Sequence, residues 1–227
     1  MDPSRTSPIP IPAVRRMSLY LRQLEALRAK GTQTVSSRQL GESLGLTDAQ
    51  VRKDLAYFGQ FGHPGIGYRV DDLIAQVRHI LGTDKLWNVL LVGAGNLGHA
   101  LLAYKGFEKK GFRIVAVFDG DSAKVGHDLD AFIIQPMDAL AAQIQHHQAH
   151  LAIVAVPADA AQAVADQLVA AGIRGILNFA PVSLSVPPHV PVTAVDLAVQ
   201  LEQLSFQVNI AMASATPPRP VPAAPRS

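Results

Sequence analysis

The chain is 227 residues long, 48% hydrophobic and 17% charged, with a net charge of +2 and no cysteine. This composition supplies core material for one large domain or two small ones. It excludes disulfide staples, thiolate metal sites and thiol redox sensing, and no run of eighteen apolar residues offers a membrane span. The charge is unevenly spread. Residues 13–69 carry nine Lys and Arg against four Asp and Glu, whereas residues 70–210 carry eight against thirteen. A basic first part joined to an acidic second part directs a polyanionic partner to the first. The opening MDPSRTSPIPIP has no apolar segment of a secretory signal, so the expected location is cytoplasmic.

Residues 1–12 are Pro-rich and read as a disordered arm. Val14, Met17, Leu21 and Leu24 then recur at helical spacing, widened by Tyr20 and Leu27, and predict an amphipathic helix over 13–29 that stops at Gly31. Ser36, with Gln39 three residues on, caps a second helix that runs through Leu40 and Leu44 to Gly45. Thr47, with Gln50, caps a third. Two short helices joined by a tight turn make a helix-turn-helix. In the third helix Val51 and Leu55 face the core, which leaves Gln50, Arg52, Lys53 and Tyr57 largely outside. Arg and Lys can donate to guanine O6 and N7, and Gln can pair with adenine. Glycines 59, 62, 65 and 67, with aromatics between them, predict a tight β-hairpin as a wing beside that helix. The candidate DNA contacts are Ser37, Thr47, Gln50, Arg52, Lys53 and Tyr57, with His63, Gly65 and Tyr68 from the wing. A small helical domain with a solvated basic face would carry the same charges.

The pattern changes near residue 70 to apolar strands alternating with helices, which implies a parallel α/β sheet. Trp87 to Val92 reads as a buried strand and leads directly into Gly93, Ala94, Gly95, Asn96, Leu97 and Gly98, then a helix. In that context G-x-G-x-x-G gives a tight turn, close approach to a pyrophosphate and close helix packing. The helix start offers N–H groups to phosphates. A second strand, Phe112 to Phe118, ends in Asp119, 24 residues past Gly95. An acid about 20 residues on binds the adenosine ribose hydroxyls and disfavours a 2′-phosphate, so NAD(H) is the expected ligand. Further helices at 136–147 and 158–171 and strands at 151–156 and 175–179 continue the sheet. Pro157, Asn178, Phe179, Ala180 and Pro181 fall at carboxyl ends of strands, where ligands bind, although proline also serves there as plain loop punctuation. Val195 and Asp196 open a last amphipathic helix through Val199, Leu201, Leu204, Phe206 and Val208, and residues 211–227 read as a disordered Ala/Pro-rich tail.

His127, His146, His147 and His150 are the acid–base candidates. The last three crowd one helix end, where cations suit the dipole. No Ser/His/Asp, Cys/His or H-E-x-x-H pattern is visible, so neither a catalytic nor a metal site is expected. The expected division is 13–82 for a DNA-binding domain, 83–194 for a Rossmann domain and 195–210 for a dimerisation helix.

The strings Q-L-G-E-S-L-G-L-T-D-A-Q-V-R-K-D-L-A-Y-F-G at 39–59, G-I-G-Y at 65–68, V-G-A-G-N-L-G at 92–98, F-D at 118–119 and G-I-L-N-F-A-P at 175–181 resemble the Rex family of redox-sensing repressors. The likeness covers roughly 13–209. It implies a homodimer in which a winged-helix domain precedes an NAD(H)-binding Rossmann domain and a swapped C-terminal helix reaches the partner. It implies repression that NADH relieves and NAD+ permits. The matching positions are Arg52 and Lys53 for the major groove, and Gly93, Gly95, Gly98 and Asp119 for the nucleotide. Arg22, Tyr104 and Asp196 align with residues of a switch in which the aspartate changes partners. Pro64, after His63, stands where the family usually has a basic wing residue. Two other classes compete with a repressor. One is an NAD-dependent dehydrogenase with a basic appendage; the other is a CoA-binding protein.

Overall fold

Short capped helices before residue 70 and apolar strands after it build two different kinds of core. The computed structural model describes residues 10–62 and 66–215. Residues up to Trp87 cluster with Gly106–Arg113 as one unit; Asn88–Lys105 and the chain from Ile114 onward form the other.

The first unit opens with α1 (Ile11–Ala29), which buries Ala13, Met17, Tyr20, Leu21 and Leu24. The helix starts two residues earlier than the apolar spacing predicts. Pro12 sits in its first turn, where a missing N–H costs nothing and a fixed φ favours the helix. Ala13, not Val14, takes the first buried position, and Val14 is exposed. After β1 (Thr34–Val35) comes α2 (Ser37–Glu42). Its capping box is closed from both sides: Ser36 Oγ accepts the Gln39 N–H, and Gln39 Oε1 accepts the Ser36 N–H. The turn passes through Gly45 at φ +66° into α3 (Asp48–Ala56), capped by Thr47. A Cβ on Gly41 would lie 2.6 Å from the Leu46 carbonyl oxygen, so glycine sets how closely the turn folds back on α2. The unit ends in β2 (Tyr68–Arg69) and α4 (Val70–Leu81), a helix the sequence reading did not separate from its surroundings. Leu73, Ile74 and Val77 of α4 meet Met17, Tyr20 and Leu24 of α1, Leu40 of α2, and Val51 and Leu55 of α3 in one core.

Gly62 and Gly67 stand close, a Cβ on Gly62 lying 2.6 Å from the Gly67 carbonyl oxygen, and the tip of the expected hairpin between them falls outside the described residues. Tyr68–Arg69 also pairs antiparallel with Thr34–Val35. Gly67, at φ +88°, lies against the Val35 carbonyl, which a Cβ would approach to 2.6 Å. His63, Pro64 and Gly65 lie outside the described residues, as do residues 1–9 of the arm and 216–227 of the tail.

The second unit holds a sheet of order β5-β6-β4-β3-β7-β8-β9. Its strands are β3 (Trp87–Val92), β4 (Phe112–Phe118), β5 (Asp128–Leu129), β6 (Phe132–Gln135), β7 (Leu151–Val154), β8 (Gly175–Asn178) and β9 (Val192–Ala194). β3–β7, β4–β6, β7–β8 and β8–β9 pair in parallel, and β5 runs antiparallel to β6. The helices are α5 (Asn96–Leu102), α7 (Leu140–His147), α8 (Ala158–Ala170) and α9 (Leu197–Ala215), while α6 (Gly106–Lys109) belongs to the segment that clusters with the first unit. That segment holds Lys110, whose ammonium pairs with Glu25 beside Arg78, and Gly111, whose carbonyl accepts the Trp87 N–H.

Near-continuous apolar runs mark strands buried on both faces. Leu90, Val92, Ala116, Phe118, Ala152 and Val154 pack with Leu140 and Ile144 of α7 and with Ala165 and Leu168 of α8. Three boundaries differ from expectation by two residues or more. A single 3-10 turn, Met137–Ala139, precedes α7, because Pro136 stays extended. β7 stops at Val154, its last pairing with Asn178, and the chain turns before Pro157. α9 runs on through Ala211–Ala215, past its expected end at 210, because alanines continue a helix well. No described helix is long and apolar enough to cross a membrane.

Candidate functional site

Two sites take shape, one in each unit. In the first, α3 leaves Arg52 and Lys53 exposed. Arg52 Nη1 donates to Asp48 Oδ2 at 2.7 Å and to Ser37 Oγ at 3.2 Å. The Arg52 guanidinium, with the Ala49 N–H, holds the Asp48 carboxyl below the usual carboxylate range. Thr47 is engaged as a cap, its Oγ1 accepting the Gln50 N–H. Tyr57 ends α3 and is half-buried. A groove of about 630 Å³ runs beside α3, lined by Ser37, Arg52, Gly59, Gln60, Gly67 and Tyr68 among others. Tyr68 is its buried floor and a member of the core, not a presented side chain; burial pushes its hydroxyl pKa up.

Gln50 also departs from expectation. Its Nε2 donates to Asp54 Oδ1 at 2.7 Å, so the carboxamide is turned back onto its own helix. Asp54 is fully buried and also accepts the Tyr20 hydroxyl at 2.7 Å and Arg16 Nη2 at 2.7 Å. Burial pushes the Asp54 carboxyl up, but the bonds from Arg16, Tyr20 and Gln50 outweigh it and hold it below the usual range. This node ties α3 to α1. Sequence reasoning missed it, although its signal was present: Asp54 stands at the i+3 place of the stripe that begins at Val51.

In the second unit β3 lies between β4 and β7, so the chain leaves it to one side and returns on the other. Such a switch point opens a crevice at the carboxyl ends of the strands. The three glycines have three different surroundings there. Gly93, at φ +107°, has no room for a Cβ, which would sit 2.3 Å from the Ala155 carbonyl oxygen. A Cβ on Gly98 would sit 2.0 Å from the Gly93 carbonyl oxygen, so α5 is pressed against the loop. Gly95 has open space within 4 Å, which is the side on which a pyrophosphate can approach. Asn96 and Leu97 open α5 and are exposed, and Ala94 is buried. These surroundings fit a dinucleotide.

Asp119 ends β4, largely buried. Its Oδ2 accepts the Ala94 N–H at 2.8 Å and the Lys124 ammonium at 3.1 Å, and its Oδ1 accepts the Asp121 N–H at 2.9 Å. Burial pushes this carboxyl up, but the two backbone N–H groups and Lys124 hold it below the usual range, so it is an anion at neutral pH. The bond to Ala94 joins the acid to the glycine loop. Pro157 caps α8 and is exposed; Phe179 is half-buried, Ala180 buried and Pro181 exposed. Asn178 is a scaffold. Its Oδ1 accepts the Ala180 N–H, and its Nδ2 donates to the Ala180 and Val182 carbonyls.

Arg22 is exposed on α1, and Tyr104 is exposed just after α5. Asp196 caps α9, its Oδ1 accepting the N–H groups of Ala198 and Val199. The His146 and His147 rings meet edge to face at 4.7 Å. Among the described residues no group of three His, Cys, Asp or Glu is placed to hold a metal ion.

Residues 8–56 match the family model described as putative DNA-binding protein N-terminus, and residues 84–182 match the CoA binding domain model. A redox-sensing transcriptional repressor Rex from Carboxydothermus hydrogenoformans is 50% identical over 201 residues, 88% of this chain and 97% of that protein. The chain belongs to the Rex family. A Rex repressor from Desulforamulus reducens is 48% identical over 89% of this chain and 96% of its own length. The solved structure of RSP, a Rex-family repressor, in complex with β-NAD+ and operator DNA matches with a TM-score of 0.86 at 36% identity, covering 92% of this chain and 96% of that one. RSP in complex with β-NADH matches with a TM-score of 0.82 at 35% identity, over 92% and 98%. Rex proteins are transcriptional repressors, so the chain is not an enzyme and the dehydrogenase reading falls.

Proposed function

We propose that the chain represses transcription by binding operator DNA through α3 and lets go when NADH occupies the glycine loop beside Asp119. The observation that carries this is the pairing, in one chain, of a capped helix-turn-helix with a glycine loop whose open side lies at Gly95. Arg52 and Lys53 supply the base and phosphate contacts, supported by Ser37 and Thr47 at the helix ends and by Tyr57. His63 and Gly65, outside the described residues, are the further contacts that the sequence offers. In the other unit Gly93 to Gly98 embrace the pyrophosphate. Asp119 takes the ribose hydroxyls, while Pro157 and Phe179 to Pro181 border the nicotinamide side. The bound dinucleotide supplies a ring that is cationic when oxidised and neutral when reduced. A sensor needs only to bind the two forms differently in its two states.

Coupling of this kind amounts to about 1–3 kcal/mol, or roughly 5- to 150-fold in affinity. The test is fluorescence anisotropy of a palindromic AT-rich duplex at fixed salt, with NADH, NAD+ and NADPH titrated separately. NADH is expected to release the DNA, with NAD+ and NADPH having little effect. Tight NADH binding with no DNA binding under any condition overturns the reading. Displacement of NADH by CoA would instead favour the CoA-binding class that the family model over 84–182 describes.

The working form is a homodimer in the cytoplasm, because a two-fold protein reads two half-sites of a palindrome. α9 supports this: Leu197, Leu201, Leu204, Phe206, Ile210 and Met212 are all exposed along it, far more apolar surface than a solitary helix keeps. Light scattering at micromolar concentration should give twice the chain mass. The switch runs through Asp196, which exchanges Arg22 for Tyr104 as its partner. Asp196→Ala is expected to retain operator binding and reduce the NADH response at least fivefold. A full NADH response in that variant leaves Asp196 as a helix cap alone.

A further inference from the structure

We infer that Asp48 is a positioning residue that decides which edge of Arg52 reads a base, and so sets specificity at one operator position. The inference rests on the DNA-binding reading above. Asp48 is the first residue of α3 and Arg52 stands one turn on, half-exposed on the same face. The Asp48 carboxylate and the Ser37 hydroxyl both draw on Nη1 of the guanidinium, at 2.7 Å and 3.2 Å. A guanidinium has five N–H donors in one rigid plane. With Nη1 claimed from two sides, the fork left for a base is the one formed by Nε and Nη2. Two parallel donors of that kind match guanine O6 and N7.

Asp48 also has a cost. A carboxylate beside the groove repels phosphates, and that repulsion acts on every sequence alike. One residue therefore has two opposite effects. It lowers affinity for any duplex and raises the distinction between a correct and an incorrect base pair. A cap or a mere helix stabiliser would weaken both kinds of binding together.

The experiment starts from a half-site selected by the wild-type protein out of randomised duplexes. Each G·C pair is then changed to A·T in turn. Anisotropy is read for wild type, Asp48→Ala, Asp48→Asn and Arg52→Ala, on operator and on unrelated duplex, at several salt concentrations. Arg52→Ala identifies the position Arg52 reads, where wild type is expected to lose about 5- to 150-fold on substitution. At that position Asp48→Ala is expected to lose no more than about threefold, while its affinity for unrelated duplex rises at low salt. Asp48→Asn, which keeps an acceptor for Nη1, should restore part of the discrimination and none of the repulsion. Equal thermal midpoints for the three Asp48 forms show that α3 is intact. If Asp48→Ala discriminates as wild type does, or weakens all duplexes equally, the inference is overturned and the DNA-binding reading stands. If Arg52→Ala discriminates as wild type at every position, the inference also fails. If wild type selects and binds no duplex, both fail together.

Discussion

Asp54→Ala is expected to cost the DNA-binding unit about 3–5 kcal/mol, the usual penalty for removing one member of a buried charge pair. Domains hold only about 5–15 kcal/mol in total, so the variant should unfold at a much lower urea concentration than wild type. The argument is geometric. Asp54 is fully buried, and it is the shared acceptor for Arg16, Tyr20 and Gln50. Removing it leaves a buried phenol and a partly buried guanidinium with no anion. Urea unfolding followed by amide hydrogen exchange along α1 and α3 reads the unit in which Asp54 lies. The sign of the pH dependence follows from the carboxyl. Its folded pKa is depressed, so its contribution is complete above the unfolded value near 3.9 and is lost as pH falls through the folded value. Wild type should therefore lose this stability below about pH 4, and Asp54→Ala should lack that acid-sensitive component. An Asp54→Ala protein as stable as wild type would mean that the node contributes nothing net.

Gly98→Ala and Gly95→Ala should fail in different ways. At Gly98 an added methyl meets the Gly93 carbonyl oxygen at 2.0 Å, and backbone cannot rotate aside as a side chain can. The helix must back away from the loop, at about 1–3 kcal/mol for overpacking, and the pyrophosphate cradle opens with it. NADH binding and thermal stability should fall together. At Gly95 the φ is −89° and the space is empty, so the methyl costs the fold little. It occupies the approach of the pyrophosphate instead, so NADH binding should fall at least tenfold with the thermal midpoint unchanged. Calorimetric titration with NADH beside thermal unfolding separates the two. Gly95→Ala binding NADH as wild type does would show that the dinucleotide lies elsewhere.

The contrast between these sites and the rest of the chain shows what a sequence makes legible. Ser36 with Gln39, and the run from Trp87 through Gly98 to Asp119, act over short stretches whose geometry depends on neighbours in the chain. Such features survive reading in one dimension. The pairing of Tyr68 with Val35 does not, because its two strands are two residues each and stand far apart in the chain. The helical position of Gln50 points outward. A buried carboxylate one turn on reverses that, and its presence in a core stripe is what reading by hydrophobicity passes over. The strand-end position of Asn178 suggests a ligand, yet its amide is engaged in holding its own loop. Strands of two to four residues such as β5, β6 and β9 carry too few side chains for an alternation to register.

The segment Gly106–Arg113 has a consequence for modularity. It is flanked on both sides by chain of the nucleotide unit, yet it packs as part of the DNA-binding one. The border is therefore crossed three times, and no single cut separates the two. A fragment ending at Trp87 would leave Glu25 with Arg78 alone and strip the Gly111 carbonyl from the Trp87 N–H. A recombination that spliced residues 1–87 onto another ligand-binding domain would transplant the reading head without its last brace. Inheritance of the two units as one piece is what this interleaving favours.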